Sequence, residues 1–406
     1  MYIEPINMQH LVEKYRKKLL HLPMDFQRSL MDEIRWDARL VGIKGARGAG
    51  KTTMLLQRIK AHFDNLDQVL YVSLDDLWFA ENKLVDLADT FVKQGGAYLF
   101  LDEVHKYPNW SQEIKNIYDD HPELRVVFTG SSLLEIINAR ADLSRRAIVY
   151  YLQGLSFREY VNFTQEQEFS AYSLDEVLDH HQEIAEQIIR EIRPLAHFGT
   201  YLVSGYYPFF KEIPDLYAQR LLEVVNLILE VELPLLRQVD VAWVPKLKQL
   251  LLIIAESAPF KPNISKLSSK IGINRQTLLT YLNHLVEAGL TTHLFKAAKG
   301  ISRLQKPDKL YLENTNLAFA IRPEKPDMGT LRETFFANQV GYLHDIQYPE
   351  TGDFLVDQKN VFEVGGPNKS AKQLANHQQH ATFIAQDQIE LGYKNRIPLW
   401  LFGFLY

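Results

Sequence analysis

The segment Gly45-Ala46-Arg47-Gly48-Ala49-Gly50-Lys51-Thr52-Thr53 constrains this chain more than any other. It fits the spacing G-x-x-x-x-G-K-[ST] and stands between the apolar run Leu40–Ile43 and a helix-like stretch that starts near Lys51. Glycines at 45, 48 and 50 let the backbone curl so that its N–H groups point inward, a concavity suited to phosphate oxygens. The helix that follows adds the positive end of its dipole. On this reading Gly45, Arg47, Gly48, Ala49, Gly50, Lys51, Thr52 and Thr53 cradle a nucleotide. Lys51 holds the β- and γ-phosphates, and Thr52 gives its hydroxyl to a metal. ATP and Mg²⁺ are the expected ligands.

Four further apolar, β-rich runs follow: Val69–Leu74, Tyr98–Leu101, Val126–Thr129 and Ile148–Leu152. Helical stretches separate them, which predicts an α/β fold with a parallel sheet covered on both faces. The run at 98–101 ends in Asp102 and Glu103. Ligands of an open parallel sheet collect at the carboxyl ends of its strands, so Asp102 is expected to hold Mg²⁺ beside the glycine-rich loop. Glu103 is placed to orient and deprotonate an attacking water, which favours a hydrolase over a kinase. Val126–Thr129 leads into Gly130, Ser131 and Ser132, so Thr129 or Ser131 is a candidate γ-phosphate sensor; a plain turn with helix capping is the other reading. Arg145 and Arg146 precede the fifth run and are candidates for stabilising transferred charge, in cis or from a neighbouring subunit; surface arginine is the alternative.

Arg47–Thr53, Leu101-Asp102-Glu103-Val104-His105-Lys106-Tyr107, Thr129-Gly130-Ser131-Ser132 and Leu155-Ser156-Phe157-Arg158-Glu159-Tyr160 resemble a family of prokaryotic AAA+ ATPases. Its members carry a C-terminal region built from a winged helix and a restriction-endonuclease-like domain. The resemblance covers nearly the whole chain and is looser towards its end. It implies sheet order 5-1-4-3-2, a helical lid over the nucleotide and a sensor strand ending at Thr129. It also matches Ser204-Gly205-Tyr206-Tyr207-Pro208 to a glycine-proline lid motif, with Gly205 and Pro208 near the adenine; Tyr206 stands where a second glycine is common. A turn between lid helices is the bland alternative.

Residues 261–306 hold eight basic residues against Glu287, a local charge of +7 in a chain of −5, so the remainder carries −12. Ile264–Ile271 reads as a short helix, Gly272-Ile273-Asn274 as a turn, and Arg275–Ala288 as a second helix ended by Gly289. Leu278, Leu279, Leu282, Leu285 and Val286 form its expected buried face, and Leu290–Phe295 with Leu304–Tyr311 a hairpin. As a winged helix this module would present Arg275, Gln276, Thr277 and Thr280 to a DNA major groove and Lys299 and Arg303 to phosphates. Protein packing alone is the competing use.

Asp353 and Glu363 lie on adjacent candidate strands with the spacing of a nuclease-like carboxylate pair. An active site of that kind expects lysine two residues after the glutamate; here that residue is Gly365, and Lys369 lies in the following loop. A retained fold with lost chemistry is expected. His180, His181, His377 and His380 have no matching ligand cluster. The expected layout is N-terminal helices and AAA+ core at 1–160, helical lid at 161–244, winged helix at 245–310 and nuclease-like domain at 311–406. A chain of 406 residues is too long for one core. It has no cysteine, no run of eighteen apolar residues and no apolar secretory segment near residue 1, which predicts a cytoplasmic protein without disulfides or a membrane span. Three functions compete: ATP hydrolysis coupled to movement, acting on DNA or a DNA-bound protein partner; an ATP-dependent switch with little turnover; and an ATP-dependent metal nuclease. A trans-acting arginine would require an oligomer.

Overall fold

Each of the five apolar runs becomes a strand of one parallel sheet: β1 (Leu40–Lys44), β2 (Val69–Ser73), β3 (Tyr98–Asp102), β4 (Arg125–Gly130) and β5 (Ile148–Tyr151). Their order is β2-β3-β4-β1-β5, the one the family resemblance implies, and every neighbouring pair is parallel. The computed structural model describes residues 8–131, 143, 145–256, 261–296, 306–322, 326–368 and 380–406. It forms two compact units, Met1–Gly154 and Leu155–Tyr406.

In the first unit the helices are α1 (Gln9–Leu20), α2 (Leu30–Glu33), α3 (Lys51–His62), α4 (Leu84–Lys93) and α5 (Trp110–Asp120). Leu40, Val41 and Ile43 of β1 are buried, as are Leu99, Phe100 and Leu101 of β3, because helices cover both faces of the central strands. At Gly42 a side chain would stand 2.5 Å from the Phe128 ring, so the close approach of β1 and β4 needs a glycine there. The edge strand β5 leaves Ile148 and Val149 exposed. The register pairs Lys44 with Gly130 and Leu101 with Phe128. That alignment brings the carboxyl ends of β1, β3 and β4 to one edge of the sheet.

The second unit opens with α6 (Phe157–Gln165), α7 (Leu174–Glu191), α8 (Pro194–Ser204), α9 (Tyr217–Leu227) and α10 (Leu233–Arg237). Both α6 and α7 start with a capping box, Ser156 with Glu159 and Ser173 with Glu176, as the S-x-x-E spacing predicts. Next come α11 (Val244–Glu256), α12 (Ile264–Ile271), α13 (Arg275–Glu287) and the antiparallel hairpin of β6 (Thr291–Leu294) and β7 (Lys309–Leu312). Leu278, Leu282 and Leu285 of α13 are buried as expected, but Val286 is exposed and Tyr281 takes the place expected of it. Among the described residues β7 begins at Lys309, just beyond Pro307, which has no N–H to donate to a ladder.

After α14 (Thr315–Ile321) and α15 (Met328–Val340) comes a second sheet in the order β12-β11-β10-β9-β8. Its strands are β8 (Ile346–Gln347), β9 (Phe354–Val356), β10 (Asn360–Gly365), β11 (Ala381–Gln386) and β12 (Arg396–Pro398). Pairs β8–β9 and β9–β10 are antiparallel, whereas β10–β11 and β11–β12 are parallel. Helix α15 is buried nearly all round, including Glu333, Thr334, Asn338 and Gln339. Among the described residues no helix is long and apolar enough to cross a membrane.

Candidate functional site

The loop between β1 and α3 takes its shape from its glycines. Gly48 and Gly50 have φ of 82° and 96°, left-handed values that side chains resist, and a side chain at Gly45 would lie 2.3 Å from the Leu152 carbonyl oxygen. Lys51 opens α3 and is buried; its ammonium donates to the carbonyl oxygens of Gly45 (2.8 Å) and Ala46 (2.9 Å). Ala49 is buried, Thr52 half-buried and Thr53 exposed. Arg28 braces the loop from outside. Its buried guanidinium donates to Ala49 O at 2.5 Å, Gln153 O at 2.7 Å and Gly154 O at 3.0 Å. Nothing in the local sequence around Arg28 signals this, since its partners come from two distant segments.

Asp102 ends β3 almost fully buried and is ringed by donors. The Thr52 hydroxyl reaches Oδ2 at 2.6 Å, the Tyr71 hydroxyl reaches the same oxygen at 2.8 Å, and the Thr129 hydroxyl donates to Oδ1. The Glu103 N–H also donates to Oδ1, at 3.0 Å. Tyr71 lies on the neighbouring strand β2, and its burial beside the Asp102 charge raises its hydroxyl pKa, so it stays a donor. Sequence reasoning missed it because an apolar strand gives no sign which residue faces the next strand's end.

Glu103 sits in the left-handed region at φ 51°, a conformation uncommon for a residue with a side chain and often held at functional sites. Its Oε1 accepts from the Ser131 hydroxyl at 2.7 Å, and its Oε2 lies 3.5 Å from His105 Nε2. Thr129 and Ser131, predicted as sensors, are thus brought to Asp102 and Glu103 respectively; Ser132 lies outside the described residues. The donor set is one buried carboxylate, a threonine hydroxyl and a glycine loop with an ammonium. That chemistry fits a hard, oxygen-preferring divalent cation with a polyphosphate, which takes few protein ligands and keeps several waters. No group of three or more His, Cys, Asp or Glu suited to a metal occurs among the described residues.

The arginines fall elsewhere. Residues that precede a parallel strand lie at the edge opposite its carboxyl end, and Arg145 and Arg146 precede β5. Arg146 forks onto Asp119 at the end of α5, with bonds of 2.9 and 3.0 Å, and Arg145 is exposed in a turn. The ion pair that Arg146 makes within its own chain is with Asp119. Gly205 and Pro208 belong to the second unit. A side chain at Gly205 would meet Tyr201 at 2.6 Å and Tyr160 at 2.8 Å, and Pro208 opens a 3-10 turn. The intervening Tyr206 is buried, with its N–H on Asn316 Oδ1 at 2.8 Å and its hydroxyl accepting from Asn338 at 3.2 Å.

On α13, Arg275, Gln276 and Thr280 are exposed and Thr277 half-buried; Thr277 N–H is capped by Asn274 at 2.8 Å. Lys299 and Arg303 lie outside the described residues, as do Lys369 and His377. His181 is buried against the Lys394 carbonyl oxygen at 3.0 Å, a packing role. Asp353 and Glu363 are brought close in chain terms, since Asp353 N–H donates to Phe362 O at 2.9 Å. The Asp353 carboxylate accepts from Lys309 Nζ at 3.2 Å, and the same ammonium reaches Glu333 Oε2 at 3.1 Å, where the Tyr311 hydroxyl also donates at 2.6 Å. Gly365 stands where an active site of that kind would need lysine, and the side chain placed against Asp353 is Lys309 of β7, shared with Glu333 of α15.

Residues 37–161 match the AAA domain family, and residues 195–327 match a family described as a domain of unknown function, DUF8612. A search of curated proteins finds no match. Among solved structures, a Walker-type ATPase of Pyrococcus abyssi is 13% identical with a TM-score of 0.41, covering 78% of this chain and 95% of its own. AMPPCP-bound DnaA from Aquifex aeolicus is 13% identical with a TM-score of 0.24, covering 71% of this chain and 89% of its own. PCH-2 of C. elegans is 18% identical with a TM-score of 0.24, covering 39% and 44%. The AAA match over residues 37–161, with the five-strand parallel sheet and the glycine loop at its carboxyl edge, supports an AAA-type P-loop ATPase domain in that part of the chain.

Proposed function

We propose that this protein binds ATP at Gly45–Thr53 and hydrolyses it, using Glu103 to orient and deprotonate the attacking water. The observation that carries this is the convergence of Lys51, Thr52, Asp102 and Glu103 at one sheet edge, with Thr52 Oγ1 and Asp102 Oδ2 2.6 Å apart. When bound, Mg²⁺ supplies charge neutralisation between the phosphates. The chain's residues do the rest. Backbone N–H groups of Arg47–Thr53 and the Lys51 ammonium grip phosphate oxygens, Thr52 and Asp102 hold the metal's shell, and Thr129 and Ser131 fix the two carboxylates. Glu103→Gln should keep nucleotide and lose phosphate release, and Lys51→Ala should lose both. Wild-type turnover no faster than that of Glu103→Gln would instead favour a switch.

The second unit is read as the element that ATP-driven movement acts through. The order of three helices and a hairpin in α11, α12, α13, β6 and β7 supports a winged helix within residues 245–310, and the exposed Arg275, Gln276 and Thr280 with the local charge of +7 support duplex DNA as its partner. Helices α6–α10 are read as the lid of residues 161–244, and the mixed sheet of residues 311–406 as a nuclease-like fold. The ammonium of Lys309 between Glu333 and Asp353 supports lost rather than retained cleavage there. The test is the ATPase rate with and without duplex DNA at two salt concentrations. Stimulation that fades with salt is expected; none at either salt would point to a protein partner.

A further inference from the structure

We infer that His105 is a positioning residue of the hydrolytic site, its buried imidazole steadying the second carboxylate oxygen of Glu103 while the Ser131 hydroxyl holds the first. The inference rests on the ATPase reading above and assigns it a residue that the motif alone does not.

The His105 side chain is 5% exposed, and among the described residues neither ring nitrogen has a hydrogen-bond partner. A polar atom removed from water is destabilising unless it is paired, which favours the acceptor that faces this ring as its partner. Glu103 Oε2 faces Nε2 at 3.5 Å, roughly half an ångström beyond an ordinary N–H···O bond. Hydrogen bonds in a catalytic site without substrate are often long and tighten when the reacting complex forms. A small rotation of the Glu103 side chain closes this one.

The backbone keeps the two residues in register. Glu103 turns the chain in a left-handed conformation into the 3-10 segment Val104–Lys106, closed by Lys106 N–H on Glu103 O at 2.9 Å and Tyr107 N–H on Val104 O at 3.0 Å. Burial pushes the His105 pKa down to about 4, with the positive charges of Lys106, Arg47 and Lys51 acting in the same direction. The ring is therefore neutral at physiological pH and offers one N–H. A neutral donor fixes the carboxylate without taking its negative charge, as a water-activating base requires.

Two held oxygens define the carboxylate plane; one held oxygen leaves it free to swing. A base misplaced by an ångström can lose much of its rate, so His105→Ala is expected to lower kcat about tenfold. Nucleotide affinity, read with a fluorescent ATP analogue, should stay within about twofold. His105→Gln, whose amide nitrogen reaches as far as Nε2, should recover most of kcat. Glu103→Gln/His105→Ala should be no slower than Glu103→Gln alone, because the two residues act as one unit. Unchanged kcat in His105→Ala, a loss of affinity that parallels the loss of kcat, or additive losses in the double variant would each overturn the inference. Wild-type turnover with an unaffected His105→Ala sinks this inference alone. Absence of wild-type turnover sinks the ATPase reading and this one with it.

Discussion

Thr52 on α3 and Asp102 at the end of β3 share a hydrogen bond of 2.6 Å across 50 residues of sequence, and that bond ties the glycine loop and its helix to the acidic end of the strand. Asp102 accepts from Thr52, Tyr71 and Thr129 at once. Asp102→Asn replaces acceptors by an amide that must donate to groups that also donate. Its fold should weaken by about 1–3 kcal/mol, and the increment of nucleotide affinity that Mg²⁺ confers should vanish while affinity in EDTA changes little. Titrations with and without Mg²⁺ check this; an intact increment would remove Asp102 from the metal's shell.

Arg28 is a buried brace rather than a ligand. Arg28→Met keeps much of the volume and leaves the carbonyls of Ala49, Gln153 and Gly154 without their donor. Nucleotide affinity should drop about tenfold through a loosened loop, with a lower Tm, since unpaired buried acceptors cost about 1–3 kcal/mol each. Affinity equal to wild type would show that the glycine loop holds its own shape.

Lys309 is the counter-charge of two carboxylates. Its side chain is 2% exposed, with Glu333 at 3.1 Å and Asp353 at 3.2 Å. Lys309→Met leaves that pair uncompensated, and a loss of about 3–5 kcal/mol is expected in urea unfolding. Adding Glu333→Gln should restore part of it. An unmoved midpoint would refute the pairing.

Glu313 gives a pH signature. Burial raises its pKa from 4.5 to about 7, opposed by the Thr292 hydroxyl, which donates to its Oε2 at 2.6 Å. Between those values the folded chain keeps a proton that the unfolded chain releases. The contribution to stability is thus whole below 4.5, is lost as pH rises to about 7, and is flat above. The stability of Glu313→Gln relative to wild type should climb over that window. A difference independent of pH would contradict the shift.

DNA binding by α13 predicts that Arg275→Ala lowers affinity and makes the dependence on salt shallower. Filter binding at several salt concentrations checks both. Equal salt slopes would move the basic surface to another use.

The sequence by itself determined the parallel sheet, the loop between β1 and α3 and the acidic end of β3. These are short-range patterns: glycines at fixed offsets, an apolar run, and the acids that follow it all act within one turn or strand. Only the tertiary structure decided what surrounds them. Tyr71 reaches Asp102 because β2 lies beside β3, Arg28 reaches Ala49 from another segment, and Lys309 meets Glu333 and Asp353 from three separate elements. Arg146 meets Asp119 because the fold brings the start of β5 beside the end of α5. Burial does the choosing: a polar side chain removed from water takes whatever partner the packing brings within reach, and no local spacing encodes which one that is.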